Sequence, residues 1–385
     1  MRENRRGSHI LQILVVLYIV LKPIYFFDSG NPQICDFILL IAIVFSLHRY
    51  KFNRMGYVFL VFVSIISIIN VTNFIFDTDF SYIRSSMYQI FNLGALFAFS
   101  VMITERNAKE AIGFAVVVSA ALQLSLYLFT INNQGTRVTL LFNNPNQLAF
   151  YSIMMIVIGY FVIKRWTLRL FVFIVFSFLI LASLSKAGIV SLGFAVVLYL
   201  FVYLMNIILR NHRVSSKKVF IGIVAIIFVS VVMLILDSSS NESLSNKFFD
   251  QVVARVSNIG RDSDDSLRGR GYTKLIEEPQ WMLFGAGEGG YDRFEDIFYG
   301  EIHSTIANVI FSYGVLGLIT YLYFFVVSLK GVRRNELIIF SMIIMYSLTH
   351  NTIRSTLLLL SLVIINRHLY NRYYILSDEE MKNID

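Results

Sequence analysis

Apolar residues dominate this chain in long runs, and charged residues are confined to the gaps between them. Twelve runs stand out: Ile10–Phe27, Ile34–Leu47, Met55–Phe76, Ser86–Ile103, Ala111–Thr130, Gln147–Ile163, Leu168–Leu184, Gly188–Leu209, Val219–Leu236, Thr305–Leu329, Leu337–Leu348 and Ser355–Tyr370. A helix crossing a bilayer needs about 20 mostly apolar residues. Lipid offers the backbone no water to bond, so each run predicts a spanning helix. The second and eleventh are short, as tilted or protein-covered helices would be. The expected fold is an all-α polytopic membrane protein with 12 transmembrane helices. Residues 1–236 would carry helices one to nine, 237–302 a large external loop containing short helices, 303–370 helices ten to twelve, and 371–385 a cytoplasmic tail. With 56% of its 385 residues hydrophobic and 15% charged, the chain is excluded from the water-soluble globular class.

The opening Met-Arg-Glu-Asn-Arg-Arg before an apolar run has the outline of a signal peptide. No small-x-small cleavage site follows, and Lys22-Pro23 interrupts the place for one, so the run is expected to remain as the first helix. The lone Cys35 excludes an intrachain disulfide and a thiolate metal cluster.

Lysine and arginine concentrate in alternate gaps: Arg2, Arg5 and Arg6, then Arg49–Arg54, Arg106–Lys109, Lys164–Arg169, Arg210–Lys218, Lys330–Arg334 and, with Arg367, the C-terminal tail, 21 basic residues together. The short gaps of the other set hold Arg84, Arg137, Lys186 and Arg354. The positive-inside rule then places both termini in the cytoplasm and Asp237–Ile302 outside. The basic pI is thus topological, and nucleic acid is not an expected partner.

Asp237–Ile302 holds 13 of the 25 acidic residues and 7 of the 33 basic ones, a net charge of −6. Within it, Ser239 and Glu242 have capping-box spacing. Leu244, Phe248, Phe249, Val252, Val253 and Val256 recur at helical intervals, which predicts an amphipathic helix. Gly260 to Asp265 is a polar turn, and Ser266 is placed to cap a short helix carrying Arg268, Arg270 and Lys274 and stopping before Pro279. Gly285, Gly287 and Gly290 satisfy G-x-G-x-x-G, but no strand precedes them. A tight loop pressed against another helix is the better reading than a dinucleotide site. The Asp-Ser-Asp-Asp run at 262–265 lacks the downstream glutamate of a calcium loop, and no metal or other cofactor is expected.

Charges near a bilayer are costly and are functional candidates by default. Arg84 and Arg354 can reach the interface, whereas Lys186 lies in the tight hairpin Ser183-Leu-Ser-Lys-Ala-Gly188. Arg137 precedes Leu140-Leu-Phe-Asn-Asn-Pro-Asn146, which reads equally as an Asx/Pro helix start or as a ligand contact. His303 opens the tenth run and His350 follows the eleventh, and a histidine in such a place more often caps or anchors than catalyses. Together Arg137, Lys186, Arg268, Arg270 and the histidines suit a phosphate-bearing ligand.

The order of these pieces resembles the O-antigen ligase and O-antigen polymerase superfamily. Gly135-Thr-Arg137 with Phe142-Asn-Asn-Pro-Asn146 is similar to the family's arginine and Asn-Asn-Pro-Asn turn. Ser183-Leu-Ser-Lys-Ala-Gly188 is similar to its Ser-x-Ser-Arg hairpin. Ser266-Leu-Arg-Gly-Arg270, Pro279 and Leu283-Phe-Gly-Ala-Gly287 are similar to its arginine, proline and glycine stretch. Ile302-His303 with Gly314-Val-Leu-Gly317 is similar to its entry to span ten. The resemblance implies a metal-independent, inverting glycosyltransferase of the inner membrane with its large loop in the periplasm or outside. Its donor would be an undecaprenyl-pyrophosphate-linked glycan. The acceptor would be a second carrier-linked repeat unit in a polymerase building O-antigen, capsule or exopolysaccharide, or the lipid A core of lipopolysaccharide in a ligase. A chain-length regulator is an implied partner. Carried over, His303 is the general base, while Arg270, Arg268, Lys186 and Arg137 bind the pyrophosphate, the loop acting as a lid. Two departures stand. Lys186 replaces the usual arginine, and Ser304 follows His303 where the family has asparagine. The literal His-Asn pair is His350-Asn351, so His350 and Arg354 are secondary candidates. Outside this class, a lipid-linked oligosaccharide flippase also fits the spans, although no internal repeat of spans supports it.

Overall fold

A computed structural model of the chain describes residues 2–28, 30–130, 137–210 and 244–368, and among them helices and turns are the only regular structure. The helices are α1 (Arg2–Leu21), α2 (Ile34–Leu47), α3 (Arg54–Asp77), α4 (Ser81–Met102), α5 (Ala108–Thr130), α6 (Pro145–Val162), α7 (Trp166–Ala182), α8 (Lys186–Arg210), α9 (Leu244–Ser257), α10 (Thr273–Glu277), α11 (Trp281–Phe284), α12 (Thr305–Leu329), α13 (Arg334–Thr349) and α14 (Thr356–His368). Among the described residues, five stretches are long and apolar enough to cross a membrane: α3, α5, α6, Lys186–Tyr203 of α8, and α12. Shorter apolar helices run His9–Leu21, Ile34–Leu47, Trp166–Ala182 and Thr356–His368. The expected ninth span, Val219–Leu236, and the Ser239 and Glu242 pair lie outside the described residues.

The expected boundaries shift for local reasons. The first run breaks at Leu21, where Pro23 cannot continue a helix. Lys22 therefore lies in the following gap and pairs with Asp36 at 2.9 Å. The fourth helix starts five residues early and buries Ser85, Ser86, Gln89 and Asn92, which take it below the apolarity of its neighbours. The eleventh buries Glu336 and Ser341. Helix starts are capped by the expected chemistry: Asn53 accepts from Gly56 N at 2.8 Å and Asn144 from Gln147 N at 2.9 Å, with Pro145 in the first turn.

The described residues fall into two compact units. One is drawn from Met1–Ala115, Ser263–Arg333 and Ser347–Asp385, the other from Val116–Asp262 and Arg334–Tyr346. In the first, α3 packs on α4 and α12, and α1 packs on α2. In the second, α6 packs on α7 and α8.

A break in α12 organises the first unit. Gly314 has φ 66° and ψ −174°, which interrupts the helix in mid-course. Carbonyls of the preceding turn, which would have been bonded within the helix, take outside partners. Phe311 O accepts from Ala286 N at 2.9 Å, and Ser312 O from Gly287 N at 2.8 Å. The glycine loop after α11 thus completes the hydrogen bonding of α12. Close approach is possible because both sides are glycine: a Cβ on Gly285 would lie 2.8 Å from Ser312 O, and one on Gly314 2.5 Å from Leu283 O. On the loop's other side, Asn70 Oδ1 of α3 accepts from Glu288 N at 2.8 Å, and Gly290 N donates to Asp79 and Ser81. The G-x-G-x-x-G spacing is therefore spent on helix packing.

Candidate functional site

His303 precedes α12, whose N-cap is Ser304, the residue that departs from the family pattern; its side chain accepts from Ala307 N. The imidazole of His303 is exposed, while its backbone is fixed: His303 N donates to Arg270 O at 3.0 Å. Thr305 Oγ1 donates to His350 O at 2.9 Å and accepts from Thr352 N at 2.9 Å, which joins the start of α12 to the 349–354 turn. That join brings the two candidate histidines together, with ring centroids 6.5 Å apart. Arg270 lies at the same place. Its guanidinium donates to Thr349 O at 3.1 Å and to Asp265 at 2.6 Å.

The same turn carries a charged network of which the sequence reading named Arg354 and missed the two glutamates. Arg354 stands between two carboxylates, Glu288 at 2.9 Å and Glu301 at 2.8 Å. Asn351 donates to the other oxygen of Glu301 at 2.7 Å, and the Tyr291 hydroxyl donates to Glu301 at 3.0 Å. The Tyr313 hydroxyl bonds Glu288, which is 1% exposed. Burial pushes the Glu288 carboxyl up from the ordinary range. Burial presses Glu301 the same way, but the Arg354 guanidinium, with Asn351, Tyr291 and His303, outweighs it and holds Glu301 below the ordinary range. For Arg354, burial opposes the charge and the two glutamates more than restore it. Two carboxylates around one cation are thus driven apart in acidity, an arrangement common at reacting sites. The available signals were a glutamate enclosed by glycines at 287–289 and another two residues before His303.

The short helix expected to carry Arg268, Arg270 and Lys274 is only partly there. Gly271, at φ 73°, breaks the chain direction, and the helix spans Thr273–Glu277. Arg268 and Arg270 lie in the turns before it, where Ser266 Oγ accepts from Gly269 N at 2.9 Å, and Arg268 is exposed. Lys274 turns inward instead, donating to Gly300 O at 2.7 Å among the rings of Tyr291, Phe294 and Phe298.

Arg137 and Lys186 belong to the second unit. Arg137 donates to Ser183 O and Asn146 Oδ1, each at 3.3 Å. The turn that follows Arg137 starts α6, with Asn144 as cap. Lys186, in the first turn of α8, donates to Asn258 O at 3.1 Å and pairs with Asp262 at 2.6 Å. Burial and the nearby charge of Arg255 both lower the proton affinity of Arg137. Of the acidic turn at 262–265, Asp262 and Asp265 are thus engaged with cations. Among the described residues, no group of three or more histidine, cysteine or acidic side chains has metal-binding geometry.

Comparison with known proteins supplies no identity: no protein-family model matches the chain, and no curated protein matches it.

Proposed function

We propose that the chain is a membrane glycosyltransferase that polymerises undecaprenyl-pyrophosphate-linked oligosaccharide repeat units on the outer face of the cytoplasmic membrane, both termini facing the cytoplasm. The observation that carries the reading is the exposed imidazole of His303 on a braced turn, beside an ionised Glu301, a second imidazole and the Arg270 guanidinium. Helices apolar enough to cross a membrane supply the setting.

In this reading His303 takes the proton of the acceptor hydroxyl, whose oxygen attacks the anomeric carbon of the donor sugar. The bond from that carbon to the diphosphate oxygen breaks, and the electron pair leaves with the diphosphate. A single displacement inverts the configuration. An imidazole suits the proton transfer because its ordinary pKa is near neutrality. Glu301 acts through His303 by favouring its protonated form, and Arg270 offsets the charge on the leaving diphosphate. Lys186 and Arg137 bind phosphate in their own right.

The test is His303→Ala in the producing cell, with two readouts: polymer length, and arrival of the lipid-linked unit at the outer leaflet. Polymer should fall at least 100-fold, single repeat units should still be displayed, and the lipid-linked unit should still arrive. Unchanged polymer refutes the role of His303. Loss of all displayed glycan indicates a ligase, and failure of arrival indicates a flippase.

A further inference from the structure

The hairpin turn between α7 and α8 gathers more positive charge than the sequence suggested. Leu184 adopts a left-handed conformation, φ 49°, and successive carbonyls of the turn are taken by guanidinium groups from different parts of the chain. Arg137 Nε donates to Ser183 O and Arg255 Nε, from α9, to Leu184 O, both at 3.3 Å. Lys186 adds an ammonium in the next turn, its side chain 12% exposed. Arg255 was hidden within the amphipathic pattern of α9, where it reads as one polar-face residue among several. Like charges held close repel, and burial together with the charge of Arg255 lowers the tendency of Arg137 to stay protonated. Such an arrangement is stabilised by an anion. The protein supplies one itself: Asp262 reaches Lys186 at 2.6 Å and Arg255 at 3.4 Å, from a polar turn just beyond α9. One carboxylate offers a single charge and two oxygens, and a diphosphate offers more of both.

We infer that Arg255 joins Arg137 and Lys186 in a diphosphate-binding group and that the Asp262 carboxylate is its built-in competitor, displaced when the ligand arrives. The inference rests on the proposed function for its choice of ligand, a lipid-linked diphosphate. Two features of the geometry favour a diphosphate over a single phosphate: three cations converge, and two are arginines capable of bidentate contact. Displacement of Asp262 frees both Lys186 and Arg255 at once, since the same oxygen, Oδ2, contacts both.

The experiment uses the full-length protein in phosphatidylcholine nanodiscs, titrated with inorganic pyrophosphate by calorimetry, with glycan polymerisation measured separately. Arg255→Gln should weaken pyrophosphate binding at least 10-fold, and Arg255→Lys should recover part of that loss. Asp262→Asn should tighten binding several-fold, because the competitor is gone. Unfolding midpoints show that each variant is folded, and Arg255→Lys serves if Arg255→Gln is not. Equal affinity in wild type and Arg255→Gln overturns the inference, as does weaker binding in Asp262→Asn or no pyrophosphate binding in either wild type or Asp262→Asn. An effect of Arg255→Gln seen only in phosphatidylglycerol nanodiscs also overturns it, since the group would then bind headgroups. If pyrophosphate affinities change as expected while polymer synthesis is indifferent to His303, the diphosphate group stands and the glycosyltransferase reading falls.

Discussion

Lys274 shows how much a single side chain can depend on its surroundings. It is 2% exposed, bonded to Gly300 O and ringed by aromatic groups, with Phe294 5.0 Å from its nitrogen. Burial, aided by the charge of Arg293 and opposed by Glu301, pulls its amine from 10.5 down to about 8. The unfolded chain therefore binds more protons than the folded one between about pH 8 and 10.5, and stability rises with pH across that window. Lys274→Met has no amine to titrate. The unfolding midpoint of wild type minus that of Lys274→Met should increase from pH 7 to 9.5, and a flat difference would show that the amine is not depressed. Sequence could name Lys274 only as a third cation on a short helix. It could not reveal the inward turn, because that turn is made by Gly271 and by rings 17 to 37 positions further on. His303, His350 and Arg354 stood out by their positions at the ends of apolar runs, and Arg270 by its place in the polar segment between two of them. Glu288 and Glu301 were not, since their partner Arg354 is more than 50 residues away.

At the level of elements, α12 and the glycine loop depend on each other. Gly314→Ala places a Cβ 2.5 Å from Leu283 O on a backbone at φ 66°, where side chains are strained. A left-handed or otherwise rare conformation costs on the order of 1–3 kcal/mol, before any loss from the two displaced loop hydrogen bonds. Gly193 in α8 is the contrast, with nothing within 4 Å of an added Cβ. Gly193→Ala should stabilise by up to about 1 kcal/mol through helix propensity. Thermal unfolding of the two variants should move in opposite directions. Equal shifts would show that the break in α12 is not a tight contact. The Gly-Val-Leu-Gly317 pattern was visible as a motif, and its meaning was not, because a glycine within an apolar run looks the same whether it kinks the helix or merely packs.

For the molecule as a whole, alternation of charge along the chain predicts a topology that labelling can read. Cys35 is the lone cysteine and is fully buried, so a Cys35→Ala background removes the thiol without burying a new polar group. In intact cells a membrane-impermeant maleimide should label Arg268→Cys and should reach Lys164→Cys only after permeabilisation. Labelling of both, or the reverse order, would refute the proposed orientation. The helical, apolar character of the chain was legible from run length alone, since α3, α5, α6, α8 and α12 follow the apolar pattern closely. Exact ends were not, because they were set by Pro23, by side-chain caps and by polar residues buried inside α4.

The break at Gly314 also bears on how the protein is made. Carbonyls of Phe311 and Ser312 accept from the glycine loop, so threading α12 into lipid leaves those two bonds still to be made. The Gly285–Gly287 segment that satisfies them precedes α12 in the chain and leaves the ribosome first. Synthesis order thus delivers the partner before the helix that needs it, and maturation of α12 becomes a docking step that follows insertion.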